Sequence, residues 1–152
     1  RRIAAEVIDA ATEVAELRCA TSATLRARLP GAVGLPRDLD AFADALRSST
    51  GLDVPVVRRL VDVYGSRAPK VARYAVEDRA LLDRVCPDQP VVFAEVAYAV
   101  ENELALSVED VLIRRTSLSL TAEDNGLRAA ERVAHMIGVR LGWDTARQTR
   151  SA

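Results

Sequence analysis

The stretch 94–116 constrains the fold more than any other part of this chain. Phe93, Val96, Ala97, Val100 and Leu104 recur at helical spacing and predict one amphipathic helix over about 91–103. Ala105-Leu106-Ser107 breaks it. Val108, Val111 and Leu112 then form the apolar stripe of a second helix that ends on Arg114 and Arg115. Ser107, with Asp110 three positions on, predicts a capping-box-like start, although Asp is shorter than the usual Glu. The unit is a helical hairpin.

The same periodicity runs through the rest of the chain. Ile3, Val7, Ala11, Val14 and Leu17 predict a helix over about 2–18, opening without a capping Ser, Thr or Asp. From 20 to 36 the pattern stops. Pro30, Gly31, Gly34 and Pro36 make that segment a linker or extended surface strap. Asp38 should cap a helix carrying Leu39, Phe42, Ala43 and Leu46 and ending near Gly51. Asp53 should cap the next, with Pro55 in its first turn and Val57, Leu60, Val61 and Tyr64 facing inward as far as Gly65. A third begins at Ser66 or Arg67 and carries Val71, Ala72, Ala75 and Val76. Residues 78–82 read as a helical turn and 86–90 as a rigid loop. Leu118-Ser119-Leu120 reads as a short extended segment, and Asp124-Asn125-Gly126 as a turn. Leu127, Ala130, Ala134, Ile137 and Leu141 then mark a long helix closed by Gly142, with Trp143 as its C-cap contact and Asp144 capping a terminal turn. The expected fold is all-α, a multi-helix orthogonal bundle.

Composition narrows what such a bundle can do. A chain of 152 residues fits one domain, which buries roughly 68–70% of its unfolded surface. Only six residues are Phe, Trp or Tyr, so the core must be built from Ala, Val and Leu. The net charge of −1 provides no global field that would attract phosphates or an anionic membrane. Arginine outnumbers lysine twenty to one, read as genome composition rather than functional demand. Cys19 and Cys86 are far apart and form no C-x-x-C, which points to two free thiols. No uncharged run approaches the ~18 residues of a membrane span. Glycines Gly31 and Gly34 are too few for a dinucleotide fingerprint, and no Walker loop is present.

No catalytic, cofactor-binding or metal-binding residue is expected. His135 is the sole histidine and has no second ligand type near it in sequence, so it reads as a packing or surface residue. Glu101 and Glu103 point to different helix faces and cannot act as a carboxylate pair. Glu95, Glu103 and Glu109 against Arg114 and Arg115 read as a surface or interdomain ion network, ahead of a substrate-phosphate role. The two arginines also oppose the dipole in a helix's last turn.

Four elements in order carry a resemblance. They are Arg2-Ile3-Ala4-Ala5-Glu6-Val7-Ile8-Asp9-Ala10-Ala11, Tyr64-Gly65-Ser66-Arg67-Ala68, the Glu101-x-Glu103-x-Ala105-Leu106-x-x-Glu109-Asp110-Val111-Leu112-x-Arg114-Arg115-Thr116 pattern, and Leu141-Gly142-Trp143-Asp144. Together they resemble the C-terminal part of the aerobic, FAD-dependent glycerol-3-phosphate dehydrogenases over almost the whole chain. Leu104, where Met is common, and Ser117, where a basic residue is frequent, depart mildly; the strap matches only loosely. The resemblance implies a bacterial parent enzyme that oxidises sn-glycerol 3-phosphate to dihydroxyacetone phosphate and passes electrons to quinone. FAD would lie in the parent and none in this fragment, which would be inactive alone. Residues 1–36 would be the terminal helix of the flavin domain plus the strap, and 37–152 the helical cap. The implied partner is the enzyme's own FAD and substrate domain, with Tyr64, Arg67, Glu95, Arg114 and Arg115 as candidate interdomain contacts. The parent would sit peripherally at the cytoplasmic face of the inner membrane, with homo-oligomerisation open. Two rivals stand beside this reading. One is a freestanding helical interaction module. The other is a helix-turn-helix nucleic-acid binder, disfavoured because its second helix carries Lys70 and Arg73 but ends on Glu77 and Asp78.

Overall fold

The computed structural model describes residues 1–151. Its helices are α1 (Arg2–Val14), α2 (Leu39–Thr50), α3 (Val54–Tyr64), α4 (Ala68–Glu77), α5 (Phe93–Asn102), α6 (Leu118–Thr121), α7 (Ala130–Leu141) and α8 (Thr145–Ser151). Short 3-10 turns lie at Pro30–Ala32, Gly65–Arg67, Arg79–Leu82 and Leu127–Ala129, and a π-wound helix at Asp110–Arg115. Among the described residues the only sheet-like pairing is an isolated antiparallel bridge between Arg84 and Val92. The all-α expectation holds. No described helix is long and apolar enough to cross a membrane.

The boundaries follow the capping chemistry. Asp38 accepts from the Ala41 N–H at 2.9 Å and Asp53 from the Val56 N–H at 3.0 Å. Gly51 and Gly142 close α2 and α7 in the left-handed conformation. Ser107 accepts from the Asp110 N–H while the Asp110 carboxylate accepts from the N–H groups of Ser107 and Leu106. The shorter Asp thus completes the box, and those bonds, the one from Leu106 first, hold its carboxyl below the usual range. Asp144 accepts from the Arg147 N–H and starts α8.

α5 lies at the centre, packed against α4 and α7, with α3 joining α2 to α4. Phe93, Ala94, Glu95, Val96, Ala97, Tyr98, Ala99 and Val100 are all buried. A helix covered on every side needs small residues where neighbours cross it, and three of these eight are Ala.

Several expectations are corrected. Leu104 is not part of the α5 stripe: it is 81% exposed, with φ +57°. The Ala105 N–H bonds back to the Ala99 carbonyl, so Leu104 occupies the left-handed position that ends a helix and is usually glycine. The hairpin's second helix is π-wound over Asp110–Arg115, with the buried Thr116 donating both its N–H and its hydroxyl to the Val111 carbonyl. Leu118-Ser119-Leu120 is helical rather than extended, entered through Ser117 at φ +57°. Val76 and Leu127 face solvent, because α4 and the turn before α7 present other residues to the core. α1 ends at Val14, before the expected Arg18.

α1 also buries none of its residues, and Ile3, Val7, Ile8, Val14 and Leu17 stand exposed. The strap that follows touches the bundle at a backbone-to-backbone contact. A Cβ on Gly65 would lie 2.3 Å from the Gly31 carbonyl oxygen, and Gly65 itself sits at φ +55°, ψ −129°. Only two glycines allow that approach.

Candidate functional site

Glu95 is the most unusual side chain in the structure: a carboxylate with no solvent exposure, on the central helix. Arg59 of α3 donates Nε to both carboxylate oxygens at 3.1 Å. The Tyr64 hydroxyl donates to Oε2 at 3.2 Å and the Val92 N–H to Oε1 at 3.3 Å. A buried charge needs a counter-charge and filled lone pairs, and Glu95 has both. Burial raises its carboxyl above the ordinary value, with Arg59 acting in the opposite direction. Burial first, then the neighbouring carboxylate, pushes the Tyr64 phenol far above its usual range and keeps it a donor. Tyr64 and Tyr98 meet edge to face at 5.5 Å, and Tyr98 meets Tyr74 the same way at 6.2 Å. Tyr74 in turn donates to Glu101, which also accepts from Arg140 of α7. One chain of contacts thus ties α3, α4, α5 and α7 together.

The expected network of Glu95, Glu103 and Glu109 with Arg114 and Arg115 is therefore divided. Glu95 and Tyr64 lie inside the bundle and bond to each other and to Arg59, so neither presents a surface to a second domain. Arg115 donates to the Glu103 carbonyl at 2.6 Å and approaches its carboxylate, and Arg114 pairs with Asp110 four residues earlier. Arg114 and Arg115 are exposed, with the exposed Leu104, Leu106 and Ile113 belonging to the same hairpin. Arg67 is half-buried at the start of α4. Arg59 was missed from the sequence. The available signal was Glu95 itself, the only charged residue between Val91 and Val100 and hence one that required a distant partner.

A cleft of about 600 Å³ opens beside Phe93, lined by Arg84, Cys86, Asp88, Glu123, Asp124, Arg128 and Arg132 among others. Its cations are already engaged: Arg84 with Asp53, Arg128 with Asp124, and Arg132 with Asp83 while stacked 4.1 Å over the Phe93 ring. Burial pushes the Cys86 thiol up, away from the thiolate that a nucleophile needs. His135 is exposed and shares a hydrogen bond with Gln148. Among the described residues no group of His, Cys, Asp and Glu could hold a metal. Gly51 and Gly142 terminate helices, and among the described residues no strand leads through a glycine-rich turn into a helix, the arrangement a flavin dinucleotide site uses.

A helical bundle held by an internal ion pair, with its front helix uncovered, is the kind of module that works inside a larger protein. Comparison with known proteins agrees. The family described as the C-terminal domain of alpha-glycerophosphate oxidase matches residues 22–148, and the chain belongs to that family. Glycerol-3-phosphate dehydrogenase 2 of Mycobacterium tuberculosis is 35% identical over 146 residues, 96% of this chain and 25% of that protein. Glycerol-3-phosphate dehydrogenase of Mycobacterium leprae is 34% identical over 143 residues, 94% of this chain and 24% of its own. Among solved structures, glycerol-3-phosphate dehydrogenase from Bacillus halodurans complexed with FAD superposes with a TM-score of 0.76 at 26% identity, covering 99% of this chain and 31% of the other. The chain thus spans about a quarter of the length of these curated relatives.

Proposed function

We propose that this chain is the non-catalytic C-terminal domain of an FAD-dependent sn-glycerol-3-phosphate dehydrogenase. The parent would oxidise glycerol 3-phosphate to dihydroxyacetone phosphate and pass electrons to quinone, as a peripheral protein at the cytoplasmic membrane face. The observation that carries this reading is the match of nearly the whole chain to proteins named glycerol-3-phosphate dehydrogenase, one of them complexed with FAD.

The domain division follows the same reading. Residues 1–36 form the last helix of the flavin domain plus a connecting strap, and 37–152 the cap. One observation supports it: α1 buries nothing here, and it lies ahead of the C-terminal-domain family match, which starts at residue 22 and so takes in the strap from there on. The apolar face of α1 then packs against the FAD domain. Of the five residues expected at the interdomain contact, Arg114 and Arg115 are the exposed ones, and we assign the cross-domain ion pair to them.

The test is expression of the longer reading frame beside the 152-residue chain. The longer protein should be yellow and reduce dye with glycerol 3-phosphate, and the chain alone should do neither. A stoichiometric flavin spectrum from the chain alone would overturn its non-catalytic role; a longer protein with no flavin would overturn the whole reading. In that enzyme Arg115→Ala should lower thermal stability and leave flavin content unchanged. A many-fold rise in KM with stability untouched would instead make Arg115 a reader of substrate phosphate.

A further inference from the structure

The strap and the turn before α4 border a second cleft, shallow and open to solvent, of about 490 Å³, lined by Arg28, Pro30, Val33, Ser66, Arg67 and Lys70. Four other clefts on the molecule each carry at least one carboxylate: Asp88, Glu123 and Asp124 in one, Asp53, Asp9 with Glu13, and Asp78 in the others. This one carries none. Most cations facing the other clefts are neutralised by carboxylates, as are Arg58, Arg59, Arg73, Arg84, Arg114, Arg115, Arg128, Arg132 and Arg140 elsewhere. Among the described residues, Arg28, Arg67 and Lys70 have no acidic partner within 4.0 Å.

The sequence explains why. There is no Asp or Glu between Glu16 and Asp38, and none between Asp62 and Glu77. These two acid-free segments, 17–37 and 63–76, are brought together by the Gly31–Gly65 backbone contact, which places Arg28 on one wall and Arg67 with Lys70 on the other. In a chain of net charge −1, three unpaired cations facing one another repel and are unfavourable unless an anion joins them. The cleft also holds the chain's only lysine. Arginine offers a planar two-donor fork, lysine a point charge and Ser66 a hydroxyl, a mixture suited to a tetrahedral oxyanion with several acceptor oxygens.

We propose that this cleft binds a phosphate group, with Arg28, Arg67 and Lys70 supplying the charge and Ser66 a hydrogen bond. Arg67 is then a ligand-binding residue rather than the cross-domain contact expected from its motif. The group could be a free phosphate or a phosphomonoester, or the headgroup of an anionic lipid. The inference does not rest on the reading of the parent enzyme, because it concerns only residues of this chain.

The test uses the full 152-residue chain at about physiological salt. Inorganic phosphate is titrated while backbone amide shifts of residues 28–33 and 65–70 are followed; sedimentation with phosphatidylglycerol vesicles is compared with phosphatidylcholine vesicles. Saturable shifts with inorganic phosphate support a free-phosphate ligand. Selective sedimentation with the anionic vesicles, without shifts in phosphate alone, supports the lipid headgroup. In either case the combined R28Q, R67Q and K70Q variant should bind at least about tenfold more weakly. R28Q and K70Q alter exposed residues, and each alone should weaken binding several-fold in a protein whose melting curve is unchanged. R73Q, which removes an arginine of α4 already paired with Glu77, should bind as the parent does. Absence of both kinds of binding, undiminished binding by the triple variant, or an equal loss in R73Q would overturn the proposal.

Discussion

α1 and α5 are both apolar enough at helical spacing to belong in a core, yet one buries eight of its ten residues and the other none. The difference lies in the neighbours each helix finds within the chain. α5 meets α4 and α7, and its buried carboxylate, Glu95, meets Arg59, Tyr64 and the Val92 N–H. α1 is followed by a strap that contacts the bundle mainly through two glycines. Periodicity shows that a helix has a face to hide; it does not show what hides it.

The largest effect should come from removing α5's counter-charge. Arg59→Ala leaves Glu95 buried with no cation, at a cost of about 3–5 kcal/mol. The loss should depend on pH. Burial already raises the Glu95 carboxyl above its ordinary 4.5, and removing Arg59, which lowers it, raises it further. A group raised in the fold contributes stability fully below its unfolded value and loses it as pH rises through the folded one. The destabilisation should therefore be small below about pH 4.5 and grow toward neutrality in urea titrations. A penalty that is flat with pH would mean that Arg59 acts only by packing.

The strap's contact comes next. Gly65→Ala combines a backbone conformation closed to side chains, costing about 1–3 kcal/mol, with a Cβ only 2.3 Å from the Gly31 oxygen. Denaturation should register that loss, and trypsin should cut sooner at Arg26 and Arg28 as the strap lifts. If stability falls while the strap stays protected, the two regions are joined by more than the glycine pair.

Within the bundle, Ser107→Ala should cost about 1 kcal/mol by chemical denaturation, because its hydroxyl accepts the Asp110 N–H. No change would mean that the Asp110 carboxylate alone holds the turn. Leu104→Gly should act in the other direction. It relieves a left-handed, exposed leucine and should stabilise by about 0.5–1 kcal/mol, net of the chain entropy that glycine adds to the unfolded state.

These sites also mark what the sequence made legible. Asp38, Asp53, Ser107 and Gly142 act through bonds to residues a few positions away, so their spacing alone predicts the helix ends. Glu95 could not be placed that way. Its partner is 36 residues distant, and a glutamate on a helix looks the same whether it faces water or an arginine inside the core. Leu104 failed for a related reason. At the end of α5 its spacing continued the stripe, but the chain had already turned left-handed to bring the buried Ala105 onto the core. The cationic cleft was invisible because its walls come from two segments that only the fold joins.

The smallest effect in this chain should come from α1, and it is the most direct test of the opening contrast. Ile8→Ser exchanges one exposed apolar side chain for a polar one on a helix that touches little. Surface changes of this kind stay within about 0.5 kcal/mol. The equivalent Val96→Ser in α5 would bury an unpartnered hydroxyl and open a cavity, and should cost several times more. If Ile8→Ser destabilises the isolated chain as Val96→Ser does, α1 already has a partner within the bundle. If it is silent here but lowers the melting temperature of the longer protein, the partner of α1 lies outside these 152 residues.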